Sequence, residues 1–76
     1  MRYEFADAVG VCLGQAVPIN ETAKALLVAT EDGQRHWIPK SAVHNDSEVY
    51  SLKSGPGKLI VFRWLAEKPE FAELAE

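Results

Sequence analysis

Two apolar runs, Lys24 to Thr30 and Gln34 to Ile38, stand on either side of Glu31-Asp32-Gly33. Asp-Gly between apolar runs is a strong hairpin signal, because a type I′ turn needs positive φ at both of its central residues. A two-residue loop sets Thr30 opposite Arg35, Val28 opposite Trp37 and Leu27 opposite Ile38. The Val28–Trp37 pair then falls on the core face. Both faces of the hairpin carry apolar residues, which predicts a position in the middle of a sheet rather than at its edge.

The remaining pattern extends that sheet. Tyr3, Phe5, Val9, Val11 and Leu13 alternate with smaller or polar residues, predicting a first strand over 3–13, with Gly10 and Gly14 marking bulges or sharp twist. Residues 15–22, with Pro18 and Asn20, read as a loop. Pro39 ends the third strand because it lacks a backbone donor, and Ser41 is placed to cap one helical turn. Asn45-Asp46-Ser47 supplies turn acceptors, and a fourth strand is expected from Glu48 to about Leu52 with Val49 inward. After the turn Ser54-Gly55-Pro56-Gly57, a fifth strand runs from Lys58 to Leu65. It sets Ile60, Phe62 and Trp64 on one face and Leu59, Val61 and Arg63 on the other. Pro69 suits a first helical position, predicting a short helix over 69–75 with Phe71, Leu74 and Ala75 on one side.

The expected fold class is therefore mainly all-β. It is a five-stranded SH3-like or OB-like barrel, or a bent antiparallel sheet, with a short C-terminal helix in a single domain spanning 1–76. A chain of 76 residues has a thin core, burying about 60% of its unfolded surface. Cys12 is its only cysteine, so no internal disulfide and no multi-cysteine zinc site can staple it. A homodimer is a reasonable way to supplement such a core. Acids interrupt the start of the chain where a signal peptide needs an apolar run, and no apolar stretch approaches a membrane span. A cytoplasmic protein with no membrane partner is expected.

The net charge of −3 is unevenly spread. Residues 1–34 set Arg2 and Lys24 against five acids, residues 35–63 set five bases against Asp46 and Glu48, and residues 64–76 set Lys68 against four glutamates. An acidic whole opposes non-specific nucleic-acid binding, while the basic middle offers local phosphate contacts.

Catalysis is not expected. Cys12 or a serine would need His36 or His44 beside it as a base, and neither a nucleophile-elbow pattern nor a spaced acid accompanies them. His36, His44 and Asp46 match no standard metal-ligand spacing, so no metal and no cofactor are expected. Ser54 to Lys58 lacks the strand-to-helix context of a phosphate loop. Trp64, in phase with Ile60 and Phe62, is expected in the core, as is Trp37; Tyr50 fits core or surface equally.

Two binding surfaces can be drawn. Glu67, Glu70 and Glu73 recur every three residues, a negative stripe on a helix able to imitate a phosphate backbone. With Lys40 and Tyr50 they form the expected protein-binding set. Alternatively, Arg35, Trp37, Lys40, Lys53 and Arg63 form a basic, aromatic surface for single-stranded nucleic acid, as small barrels use.

The blocks Lys24-Ala25-Leu26-Leu27-Val28, Trp37-Ile38-Pro39-Lys40-Ser41, Asp46-Ser47-Glu48-Val49 and Trp64-Leu65-Ala66-Glu67-Lys68 are also informative together. Their order resembles that of a group of short, poorly characterised bacterial and bacteriophage proteins, over residues 23–68. The resemblance implies a small β-rich accessory protein and brings no assigned binding residues. Ile38 to Val43 is similar to the proline-led 3₁₀ turn of SH3 domains, although there the turn precedes the last strand and here two strands are expected after it. Together these features predict a non-enzymatic binding protein, an inhibitor or modulator of a nucleic-acid-processing complex of the anti-CRISPR kind. Direct single-strand binding is the alternative.

Overall fold

The computed structural model describes residues 9–72. Four strands, β1 (Gly10–Glu21), β2 (Ala25–Thr30), β3 (Arg35–Pro39) and β4 (Gly57–Phe62), form one open antiparallel sheet in the order β3-β2-β1-β4. Two helical turns, α1 (Arg63–Ala66) and α2 (Pro69–Ala72), follow. The mainly-β class is as expected, but the sheet has four strands rather than five and does not close into a barrel. The expected strand positions 3–8, and the helical positions Leu74 and Ala75, lie outside the described residues.

The hairpin forms with a different turn. Gly33 N–H donates to Thr30 O at 3.0 Å, Thr30 N–H donates to Gln34 O at 3.0 Å, and Gly33 has φ +82°. Glu31, Asp32 and Gly33 thus form a three-residue loop, a β-turn followed by a left-handed glycine. The pairing becomes Ala29–Arg35, Val28–His36, Leu27–Trp37 and Leu26–Ile38. One extra loop residue moves every β3 side chain to the opposite face. His36 and Ile38 are therefore buried, and Trp37 is 48% exposed. β3 lies at the edge of the sheet, contrary to the central position expected for the hairpin.

β1 continues through the expected loop, over Gln15 to Glu21. Its first half pairs with β4 as far as Ala16–Gly57, and its second half pairs with β2. Beyond Ala16 it has a strand partner on one side only, the setting in which a strand proline such as Pro18 is tolerated. The register shifts between Cys12 and Gln15, around Gly14 at φ +90°, and again between Pro18 and Asn20. Bulges of this kind bend the strand, letting one strand serve both halves of the sheet.

No regular strand forms over 48–52. Instead, the chain from Val43 to Glu48 lines the outer edge of β4. Val43 bridges Val61, and His44 and Glu48 N–H groups donate to Ile60 O and Lys58 O, each at 2.9 Å. Between them the Ser47 hydroxyl accepts from Ile60 N–H at 3.0 Å, and Glu48 Oε1 accepts from Lys58 N–H at 2.8 Å. Side chains complete the ladder where the Asn45–Ser47 turn takes the backbone away. The 3₁₀ turn Lys40–Ala42 has Pro39 at its N-cap, and Ser41 makes no cap bond. A second such turn, Leu52–Ser54, is closed by a reciprocal Ser51–Ser54 capping box.

Leu13, Leu26, Val28, Ile38, Val49, Leu59, Val61 and Phe71 dominate the core. β4 buries Leu59 and Val61 and leaves Ile60 and Phe62 only half-buried, so the face expected to carry Trp64 into the core is the outer one, and the backbone turns helical at Arg63. Trp64 is 45% exposed, while Leu65 and Ala66 are buried. α2 is too short to persist alone, and Phe71 anchors it beneath the sheet.

Candidate docking surface

The solvent side of β1, β2 and β3 collects apolar groups. Val17 pairs with Ala29, and Ala29 pairs with Arg35; Leu27 pairs with Trp37. Val17, Ile19 and Trp37 are exposed large hydrophobics, and Arg35 is exposed two residues from Trp37 on the same face. The result is an apolar strip crossing three strands, with Arg35 two residues along the strand from Trp37.

Lys40, the first residue after β3, lines an open groove with Val43, His44, Asn45, Ser47 and Tyr50, about 380 Å³ in volume. Tyr50 is 60% exposed. The wall is set by packing. His44 packs at a tilt against Phe62 with ring centroids 5.0 Å apart, and its Nδ1 accepts from Asp46 N–H at 3.0 Å. A Cβ on Gly10 would lie 2.7 Å from Ile60 Cγ2 and 3.0 Å from the His44 ring, so only glycine permits this approach.

Glu21 organises the end of the groove near Tyr50. Its Oε2 accepts from Lys40 Nζ at 2.5 Å and its Oε1 from Leu52 N–H at 3.1 Å. These two bonds, helped by the charge of Lys53, hold its carboxyl below the ordinary value of 4.5. One carboxylate therefore ties the end of β1 to the turn after β3 and to the turn at Leu52.

The acids of the C-terminal stripe have internal partners. Glu67 Oε2 lies 3.7 Å from Arg63 Nε, and Glu70 Oε2 lies 2.9 Å from His36 Nδ1. Glu73 lies outside the described residues. His36 is buried, packs at a tilt against Phe71 with centroids 5.1 Å apart and has Asp32 Oδ2 4.0 Å from its Nε2. Asp32 is held below its ordinary value by the Thr30 hydroxyl and the Gln34 N–H.

Of the basic set, Arg35 and Trp37 share one face of β3, Lys40 and Lys53 gather around Glu21, and Arg63 follows β4 beside Glu67. Lys40 and Tyr50 of the expected protein-binding set meet in the groove. Sequence reasoning missed Val17 and Ile19, because 15–22 read as a loop, and it missed Glu21 as an organising acid. Among the described residues no group of three acidic, histidine or cysteine side chains is placed to hold a metal ion. No helix of those residues is long and apolar enough to cross a membrane.

No family model, curated protein or solved structure matches this chain.

Proposed function

We propose that this chain is a non-enzymatic protein-binding module that docks through the solvent face of its sheet and the adjoining groove. The observation that carries the reading is the exposure of Trp37 and Tyr50, with Val17 and Ile19, in a domain whose core is already filled by other residues. A small chain that leaves its large aromatics in water has a reason beyond folding, and such anchors rimmed by charge dominate protein interfaces. Lys40 and Arg35 supply that rim. In its finer form, the module inhibits or modulates a nucleic-acid-processing complex in the anti-CRISPR manner. That form rests on the resemblance of its sequence blocks to bacteriophage proteins. The engagement of Glu70 by His36 and of Glu67 by Arg63 favours contact through the aromatic face over an acidic imitation of phosphate.

The test is capture of partners from the host by the tagged chain, followed by calorimetry with the purified partner. Trp37→Ser with Tyr50→Ser is expected to abolish both, whereas Glu67→Lys is expected to leave both intact. Equal capture by the aromatic variant would overturn this reading.

A second reading, direct binding of single-stranded nucleic acid, is favoured by one feature. Arg35 and Trp37 stand side by side on an exposed strand face, the pairing of charge and stacking surface such binding uses. Titration of labelled oligonucleotides at two salt concentrations separates the readings. Tight, salt-sensitive binding weakened by Arg35→Glu would replace the first with the second.

A further inference from the structure

β3 has β2 on one side and, among the described residues, no strand on the other. The direction of its peptide groups follows from two bonds. Thr30 N–H donates to Gln34 O, and Lys40 N–H donates to Lys24 O at 2.8 Å, with an unshifted register between them. In an antiparallel ladder the bonded residues alternate, so Gln34, His36, Ile38 and Lys40 turn toward β2. Arg35, Trp37 and Pro39 direct their peptide groups to the open side. Pro39 has no N–H, so the open edge offers the donors of Arg35 and Trp37 alone.

Edges are normally blunted by a lysine, a bulge or a covering segment. β3 is short, begins on the charged Arg35 and ends on Pro39, but it has no lysine or bulge within Arg35–Pro39 and, among the described residues, no covering segment. From this edge we propose that a second copy of this chain pairs antiparallel with β3 across a two-fold axis at His36, setting Arg35 of each copy opposite Trp37 of the other.

Three observations select that partner and that register. Each free N–H of Arg35 and Trp37 meets a free carbonyl of the other residue, so the short edge is complementary to itself. The guanidinium of Arg35 comes over the indole of the facing Trp37, both being on the exposed face of the strand. The hairpin tip, carrying Glu31 and Asp32, comes toward Lys40 of the other copy, opposite charges meeting at both ends of the seam. Moving the axis to Trp37 puts Pro39 opposite Arg35 and leaves the Arg35 carbonyl without a donor. Moving it to Arg35 sets two guanidinium groups against each other. The pairing shares Trp37 with the protein-binding reading above but leaves Tyr50 and the groove open, and self-association of the purified chain reads it apart from capture of any other partner.

Sedimentation velocity of the full chain tests the pairing. A seam this short is at the low end of interface size, so a dissociation constant of about 10–100 µM is expected, measured over about 1 µM to 1 mM. Trp37→Pro removes a donor on the open side without touching a bond to β2. It is expected to weaken association at least about tenfold while circular dichroism stays that of the parent. A monomer throughout that range, or a dimer indifferent to Trp37→Pro, would overturn the proposal. Register is read separately, on a Cys12→Ser background. Mixed Arg35→Cys and Trp37→Cys chains are expected to form a disulfide-linked heterodimer under mild oxidation, each chain alone remaining mostly unlinked. Linkage of either variant to itself in preference to the mixture would also overturn the proposal.

Discussion

Leu27 and Trp37 face each other across β2 and β3 on the solvent side of the sheet, while their neighbours Val28 and His36 face each other in the core. The indole is thus available for contact, and the imidazole becomes part of the packing. Stability and binding should separate along this one strand. Trp37→Ser is expected to change unfolding free energy by less than about 1 kcal/mol, whereas Ile38→Ala should cost about 2–5 kcal/mol. Urea denaturation of the two variants checks the contrast.

Gly33 adopts φ +82° with nothing within 4 Å of the position a Cβ would take. Substitution there is a matter of backbone conformation alone. Gly33→Ala is expected to cost about 1–2 kcal/mol, and Gly33→Asn less, because asparagine tolerates the left-handed region. Chemical denaturation of both variants tests the order.

Glu21 and Asp32 both have folded-state carboxyls held below their ordinary values of 4.5 and 3.8. Each therefore contributes stability that is fully present above its ordinary value and is lost as pH falls through the lowered one. Urea midpoints should decline as the solution is acidified from about pH 5 downward. Glu21→Gln should be less stable than the parent at neutral pH and should flatten the decline, since its contribution is already absent. A slope unchanged by both Glu21→Gln and Asp32→Asn would contradict this assignment.

Phe71 and Glu70 hold α2 from two sides, one by burial and one by its bond to His36. Phe71→Ala is expected to cost about 3–5 kcal/mol, a large part of what a domain this size has. Glu70→Lys would bring an ammonium to the His36 ring and should lower thermal stability, whereas Glu67→Lys, on an exposed pair, should shift unfolding free energy by less than about 1 kcal/mol. Melting curves of the two charge reversals distinguish a structural glutamate from a surface one.

The positions of the hairpin, of buried Val49 and of the bulge at Gly14 could be read from the sequence because each depends on local chemistry. What could not be read was the count of residues in the loop. Asp32-Gly33 satisfies either a two-residue turn or the end of a three-residue one. The choice is made by the Thr30–Gln34 bond and by Asp32 accepting from the Gln34 N–H at 2.9 Å. That single residue decided the faces of Trp37 and His36, and with them much of the candidate surface. Pro18 misled in a different way. It marks a loop by propensity, yet it sits in a strand where tertiary pairing leaves one side open. Trp64 shares its strand phase with Ile60 and Phe62, but both faces of that run are apolar, and the buried one is Leu59 and Val61; the helical turn that follows buries Leu65 and Ala66 instead. The Glu21–Lys40 and His36–Glu70 pairs join positions 19 and 34 residues apart, beyond any local signal.

The Ser47 hydroxyl bonded along β4 gives the molecule a polarity that its sheet would otherwise lack. One margin is sealed by side chains of the chain itself, and the other is left to β3. A sheet with two open margins can recruit copies indefinitely and grow into a fibre. Here the outer edge of β4 is already lined by the segment Val43 to Glu48, so strand addition at β3 occupies the one outer strand left to extend, and growth through both outer strands stops at its first step.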